Sequence, residues 1–184
     1  MGLSKTTPPA IEPITLTEAK AHLRIVDSLD DVYITTLISV AREWCERYTN
    51  RQFITATYTY TLPYFRGCKI VLPRPNLLGV TSIKYYDTEN ILQTLSASDY
   101  TVITNSLPGM VELNYTSSWP STYIRAEAVS VIYTSGYGVT AASVPTAIKQ
   151  AILIMIASLY ENRESIPKLA IESLLQAEKV PEFY

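Results

Sequence analysis

One histidine, two cysteines, a small cluster of aspartates and many tyrosines are the residues of this chain that could do chemistry. His22 is the only histidine. It has no second imidazole for a metal pair or a proton relay. It lies beside the apolar face of a helical stretch, so a structural or surface role outweighs the acid–base role common for this residue type. Cys45 and Cys68 form no CxxC, and no pair of cysteines and histidines has zinc spacing. Two reduced thiols are expected rather than a disulfide. Asp27, Asp30 and Asp31 cluster between two helical stretches, where capping accounts for them. A divalent-cation site there would need more oxygen ligands than the segment offers. Ser135-Gly136-Tyr137-Gly138 follows a strand but does not lead straight into a helix, as a nucleotide fingerprint must, and reads as a turn. Tyr58, Tyr60, Tyr85, Tyr86, Tyr133 and Tyr137 could stack sugars or bases. Filling and edging a small sheet is the plainer use of them, with protein contact next. The residues therefore point to no catalytic group, no cofactor site and no metal site, and an enzyme is not expected.

Bulk properties narrow the class further. The 184 residues suffice for one good core or two small ones. Only 17% are charged and 47% are hydrophobic. Few charges leave little surface to solvate, which hints that other chains cover part of it. The net charge is −2, with no Lys/Arg block. A protein that grips DNA needs cations clustered on one face, so tight nucleic-acid binding is disfavoured. The N-terminus has no apolar core segment, hence no signal peptide. The longest apolar run, Ala151 to Tyr160, is about half of what a bilayer requires. A soluble protein made in the cytoplasm, without a membrane partner, is expected.

The elements that carry these residues follow from periodicity. Pro8, Pro9 and Pro13 mark residues 1–13 as an extended arm, disordered or laid on a neighbouring surface. Thr15 and Glu18 have capping-box spacing, and Leu16, Ala19, Leu23 and Val26 share a face. Asp30 or Asp31 should cap a second helix. Its stripe is Ile34, Leu37, Ile38, Ala41, Trp44, Cys45 and Tyr48, with Arg42, Glu43, Glu46 and Arg47 mostly opposite and Asn50 as a stop. From Phe53 to Leu62 apolar residues alternate with threonine, which is strand texture. Further strands are expected at Lys69–Leu72, Val80–Tyr86, Tyr100–Thr104, Met110–Asn114 and Ala126–Thr134. Helix resumes with Ser143 as a cap and Pro145 in the first turn. Between Ala147 and Tyr160 it is apolar on more than one face, so it should be buried on more than one side. Ile166-Pro167 breaks it before a last short helix from Lys168 to about Lys179. The end, Val180-Pro181-Glu182-Phe183-Tyr184, is apolar where termini usually fray, and invites docking. The expected fold class is α+β: a small helical bundle of two N-terminal and two C-terminal helices, interrupted by an antiparallel β-rich insert. The bounds are 14–50 plus 143–184 for the bundle and 51–142 for the insert.

Four segments, in order, resemble the phage head-tail connector (head-completion adaptor) family. ITLTEAKAHLRI followed by DDVYITTLISVAREWCERYTNRQFI is similar to its two opening helices, with Lys20 to Arg24 and Tyr48 to Arg51 at the matching motifs. LPRPNLLGVTSIKYYD, Leu72 to Asp87, resembles the central segment of longer members. VPTAIKQAILIMIASLYENRES resembles the third helix, and the tail from Ile171 to Phe183 the closing helix and its Val-Pro-x-Phe ending. Residues 90–125 and the arm up to Pro13 match no pattern of the family.

The resemblance implies a virion structural protein at the neck, below the portal. Such proteins form a ring, commonly twelve-fold, that extends the DNA channel without binding DNA specifically. They offer a docking platform to the next neck or tail-completion protein. They carry no catalytic residues. Assembly surfaces are then the expected sites: Ile154, Tyr160 and Arg163 on the third helix, and Leu174, Leu175, Val180, Pro181, Phe183 and Tyr184 at the end. A β-type module binding carbohydrate or protein through the tyrosine-rich insert is the alternative.

Overall fold

The structure is a computed structural model that describes residues 1–162 and 167–181. The chain divides into two compact units. A helical unit takes Pro9–Ile54 and Tyr137–Pro181, and a sheet unit takes Met1–Pro8 and Thr55–Gly136. Four helices, two from each end of the chain, and antiparallel sheets between them make an α+β fold.

In the helical unit, α1 (Leu16–Leu23) starts with a complete capping box. The Thr15 hydroxyl accepts from the Glu18 amide at 3.1 Å, and the Glu18 carboxylate accepts from the Thr15 amide at 2.7 Å. That backbone bond, helped by the Thr15 hydroxyl, holds the Glu18 carboxyl below its ordinary range. The helix ends at Arg24, which takes a left-handed conformation. It stops before Val26, which is 98% exposed and lies in the turn rather than on the buried face. Next, α2 (Asp31–Thr49) ends at Asn50, also left-handed, as its sequence suggests. Asp30 occupies the N-cap position but its side chain makes no capping bond. Its carboxylate instead accepts from the Tyr160 hydroxyl. Two C-terminal helices, α3 (Thr146–Asn162) and α4 (Lys168–Leu175), complete the bundle. Ile34, Leu37, Ile38, Ala41 and Cys45 of α2 pack in one core with Ile148, Ile152, Met155 and Ile156 of α3 and Ile171 and Leu175 of α4.

Two charges of α2 are not where helical periodicity would leave them. Arg42 and Glu46 are buried, not on the open face. Arg42 donates from Nε to Glu12 at 2.6 Å and from Nη1 to Glu46 at 2.9 Å. The second oxygen of Glu46 accepts from the Gln52 side chain at 2.6 Å and from the Phe53 amide at 3.1 Å. Burial works against the Arg42 charge, but Glu46 and Glu12 outweigh it and hold the guanidinium above its ordinary value. The i, i+4 carboxylate partner inside this helix is thus Arg42–Glu46. Glu43, at i, i+4 spacing from Arg47, lies 3.4 Å from Arg42 and is largely exposed.

In the sheet unit, a five-stranded sheet runs β1 (Gly2–Thr7), β2 (Ala56–Leu62), β8 (Val129–Ser135), β4 (Leu77–Tyr86) and β5 (Leu92–Thr94), all pairs antiparallel. A three-stranded sheet runs β3 (Lys69–Val71), β7 (Met110–Leu113) and β6 (Tyr100–Ile103). The alternation that begins at Phe53 becomes a strand only at Ala56. Phe53 and Ile54 pack with the helical core instead. Along β2 and β8 every second residue points inward, and Tyr58 lies opposite Tyr133 and Tyr60 opposite Val131. Their side chains share a core with Ile70 and Leu72, Ile83, Tyr100 and Val111, so the two sheets face each other. Gly109 sits where any side chain would collide with Leu77: an added Cβ would lie 2.4 Å from the Leu77 Cβ. Its carbonyl accepts from the Leu72 amide at 2.9 Å.

Two outcomes follow from this packing. Glu46→Ala strands a buried guanidinium and two donors, and should lower the unfolding free energy by about 3–5 kcal/mol in urea melts. Glu43→Ala, on the exposed side of the same arginine, should change it by less than about 1 kcal/mol. Equal losses would mean that the buried network carries no special weight. The two thiols should also part company. Cys45 is fully buried and desolvation pushes its pKa up to about 12, whereas Cys68 is exposed. A native chain should react with one equivalent of a disulfide reagent at pH 8, and a denatured chain with two.

Candidate assembly interface

The groups with reactive potential are dispersed or engaged. His22 is exposed on α1. Asp31 pairs with Lys20 at 2.6 Å, Asp27 accepts from the Leu29 amide at 3.1 Å, and Asp30 holds Tyr160. Among the described residues no group of three His, Cys, Asp or Glu side chains could hold a metal ion. Ser135 closes β8, and Tyr137 turns into the helical unit, where its hydroxyl donates to Glu178 at 2.6 Å. Of the tyrosines that could form a stacking platform, Tyr58, Tyr60 and Tyr133 are buried in the sheet core. Tyr85 packs against that core, and Tyr86 carries Arg125 on its ring at 3.9 Å. Each of these six tyrosines thus has a packing or bonding role within the fold.

The expected assembly residues fall into four groups. Ile154, Tyr160 and Leu174 are half-buried, each packing one side on the helical core and keeping part of its surface open. Tyr160 is further fixed by its bond to Asp30 and by the Tyr33 ring at 6.0 Å. Leu175 and Val180 are buried, so their side chains serve the core of this chain and leave no surface for a partner. Pro181 is exposed. Arg163, Phe183 and Tyr184 lie outside the described residues.

The tail up to Pro181 does not wave free. The Val180 amide donates to the Thr49 carbonyl at 3.0 Å, and Arg51 donates from Nε to the Glu178 carbonyl at 2.5 Å. The Lys179 ammonium stands over the Tyr48 ring at 4.5 Å. Tyr48 in turn stacks on Trp44, with ring centroids 5.5 Å apart. The left-handed stop at Asn50 exposes the carbonyls and side chains at the end of α2 that receive this tail.

Sequence periodicity missed one surface. Val26, Leu29 and Val32 project from the α1–α2 corner at 98%, 90% and 83% exposure. Val40, on the same side of α2 as Val32 and two turns on, is also exposed. The signal was present. Val32 and Val40 are apolar residues off the Ile34–Leu37–Ile38–Ala41 stripe, and Val26 would join the core face only if α1 ran a turn beyond Leu23. Among the described residues no helix is long and apolar enough to cross a membrane.

Comparison with known proteins gives this surface a context. No curated protein sequence matches the chain at a significant level. Three solved structures are similar to it over 100% of this chain and 98% of theirs, each at 18% identity. They are a chain in the neck of an empty gene transfer agent particle computed with C6 symmetry (TM-score 0.84), a chain in the virion of a native gene transfer agent particle (0.81) and a chain in the neck of a native particle computed with C12 symmetry (0.77). At that identity the likeness speaks for the fold. The family described as phage gp6-like head-tail connector protein matches residues 13–184, through both units. Matched by that family over nearly its whole length, the chain is a structural head-tail connector protein and belongs to the phage gp6-like head-tail connector family.

Proposed function

We propose that the chain is one subunit of a ring in the virion neck, seated below the portal, lining the path of the DNA and presenting a platform to the next neck or tail-completion protein. The family match over residues 13–184 carries this reading. It spans the sheet unit as well as the helical frame, so the chain has both parts of a connector. The similar neck chains come from particles computed with C6 and C12 symmetry, which supports twelve copies. A net charge of −2 and the absence of a Lys/Arg block suit a channel that lets DNA pass without holding it.

A ring uses heterologous contacts, in which one face of each subunit meets a different face of the next. In this reading the half-buried Ile154, Tyr160 and Leu174, with Pro181, Arg163, Phe183 and Tyr184, serve contact with the portal or the adjacent copy. Leu175 and Val180 hold the closing segment in place from inside. The open apolar corner of Val26, Leu29 and Val32 meets the neighbouring copy, since isolated exposure of three aliphatic side chains in one turn has no use in a monomer.

Native mass spectrometry of the protein mixed with its portal tests the proposal. Twelve chains per portal ring are expected, and a strictly monomeric protein that ignores the portal would overturn it. A second measurement addresses the corner. The double variant L29D/V32D should keep the melting profile of the parent, because neither side chain packs inside the chain, and should weaken ring assembly at least tenfold. Unimpaired assembly would remove the corner from the interface.

A further inference from the structure

Strand β1 is attached to the sheet unit without belonging to its core. Not one of its six residues is buried: Gly2 is half-buried and the other five are exposed. It pairs with β2 in the register Gly2↔Thr61, Leu3↔Tyr60, Ser4↔Thr59 and Lys5↔Tyr58. Its side chains touch β2 through polar contacts. The Thr6 and Thr59 hydroxyls are 2.8 Å apart, and the Lys5 ammonium stands 5.9 Å from the centroid of the Tyr58 ring. Beneath it, Ala56, Tyr58, Tyr60 and Leu62 of β2 face the core with Ile70 and Val131. The sheet unit therefore has its packing without β1. What β1 supplies is a ladder of backbone bonds on an edge that would otherwise be open.

The connection that follows is built for reach. Pro8 and Pro9 sit at the border between the two units, with Met1–Pro8 assigned to the sheet unit and Pro9 onward to the helical one. Consecutive prolines fix φ, lack amide donors and favour an extended path of about 3.1 Å per residue. They keep the arm from closing in a tight turn.

We infer that β1 is an exchangeable strand: in the assembled ring it leaves its own β2 and adds to β2 of the adjacent copy, in the same register. The occupant is defined by the chain itself, because a second copy of Gly2–Thr7 makes every bond that the first one makes. Exchange of an identical element loses no native contact and ties one subunit to the next. The hinge is Pro8-Pro9, and the core of neither unit has to open. This inference rests on the ring proposed above.

Paired cysteines across the ladder read the connection directly. Ser4 and Thr59 are opposite each other in an antiparallel pair, where Cα separations suit a disulfide. The full chain carrying S4C and T59C, with C68S to remove the exposed thiol, is assembled with its portal, sized, and then oxidised mildly. Non-reducing gels should show a covalent series rising towards the copy number of the ring. Monomers closed within one chain, recovered from a fully assembled ring, would overturn the exchange and leave the ring intact as a reading. Absence of a ring on the sizing column before oxidation would defeat both. The T6C/T59C/C68S chain repeats the test at the neighbouring hydroxyl contact, in case the first pair disturbs the strand.

Discussion

One buried guanidinium organises the helical unit. Arg42 sits in the last half of α2 with Glu12 on one side and Glu46 on the other, and Glu46 passes the constraint on to Gln52 and the Phe53 amide. Two stretches of chain are thereby fixed to α2: the segment before α1, through Glu12, and the exit after it, through Gln52 and Phe53. A buried ion pair gains little net stability, since desolvation offsets the attraction. Its effect is geometric. The bonds of Glu46 to Gln52 and to the Phe53 amide fix the path of the chain as it leaves α2.

The remainder of the helical unit depends on that exit. Asn50 ends α2 in a left-handed turn, Phe53 and Ile54 drop into the core, and the returning Tyr137 amide donates to the Phe53 carbonyl at 2.9 Å. The tail then closes over the same end of α2 through Glu178 and Val180. Residues expected to reach outward, Leu175 and Val180, are consumed by this closure. Apolar surface stays open instead on the half-buried side chains of α3 and α4 and at the α1–α2 corner.

Much of this was readable from residue types. The Thr15–Glu18 box, the Asn50 stop and the stripe of α2 depend on local spacing, and local spacing is what a sequence displays. So do β2 and β8, whose alternation is regular. The failures share a cause. Arg42 and Glu46 look like an open polar face, and only long-range partners such as Glu12 make them core. Strand β1 has no alternation to reveal it, because its side chains face solvent and its place is set by the edge of β2. The short β5 depends likewise on its pairing with Lys84–Tyr86. For the candidate site, the apolar corner was present as off-stripe valines, but its exposure followed from where α1 stops.

The helical unit is also divided in time. Tyr33 and Asp30 of the α2 start find their partners at Leu159 and Tyr160, separations of 126 and 130 residues. The sheet unit, apart from β1, is a continuous stretch between the two halves. A ribosome therefore releases α1 and α2 early, with an uncovered apolar stripe that waits for α3 and α4, and β2 and β4 likewise wait for β8. Such a waiting stripe is a natural substrate for a chaperone, since pairings so distant in sequence form late and leave apolar surface open in the meantime.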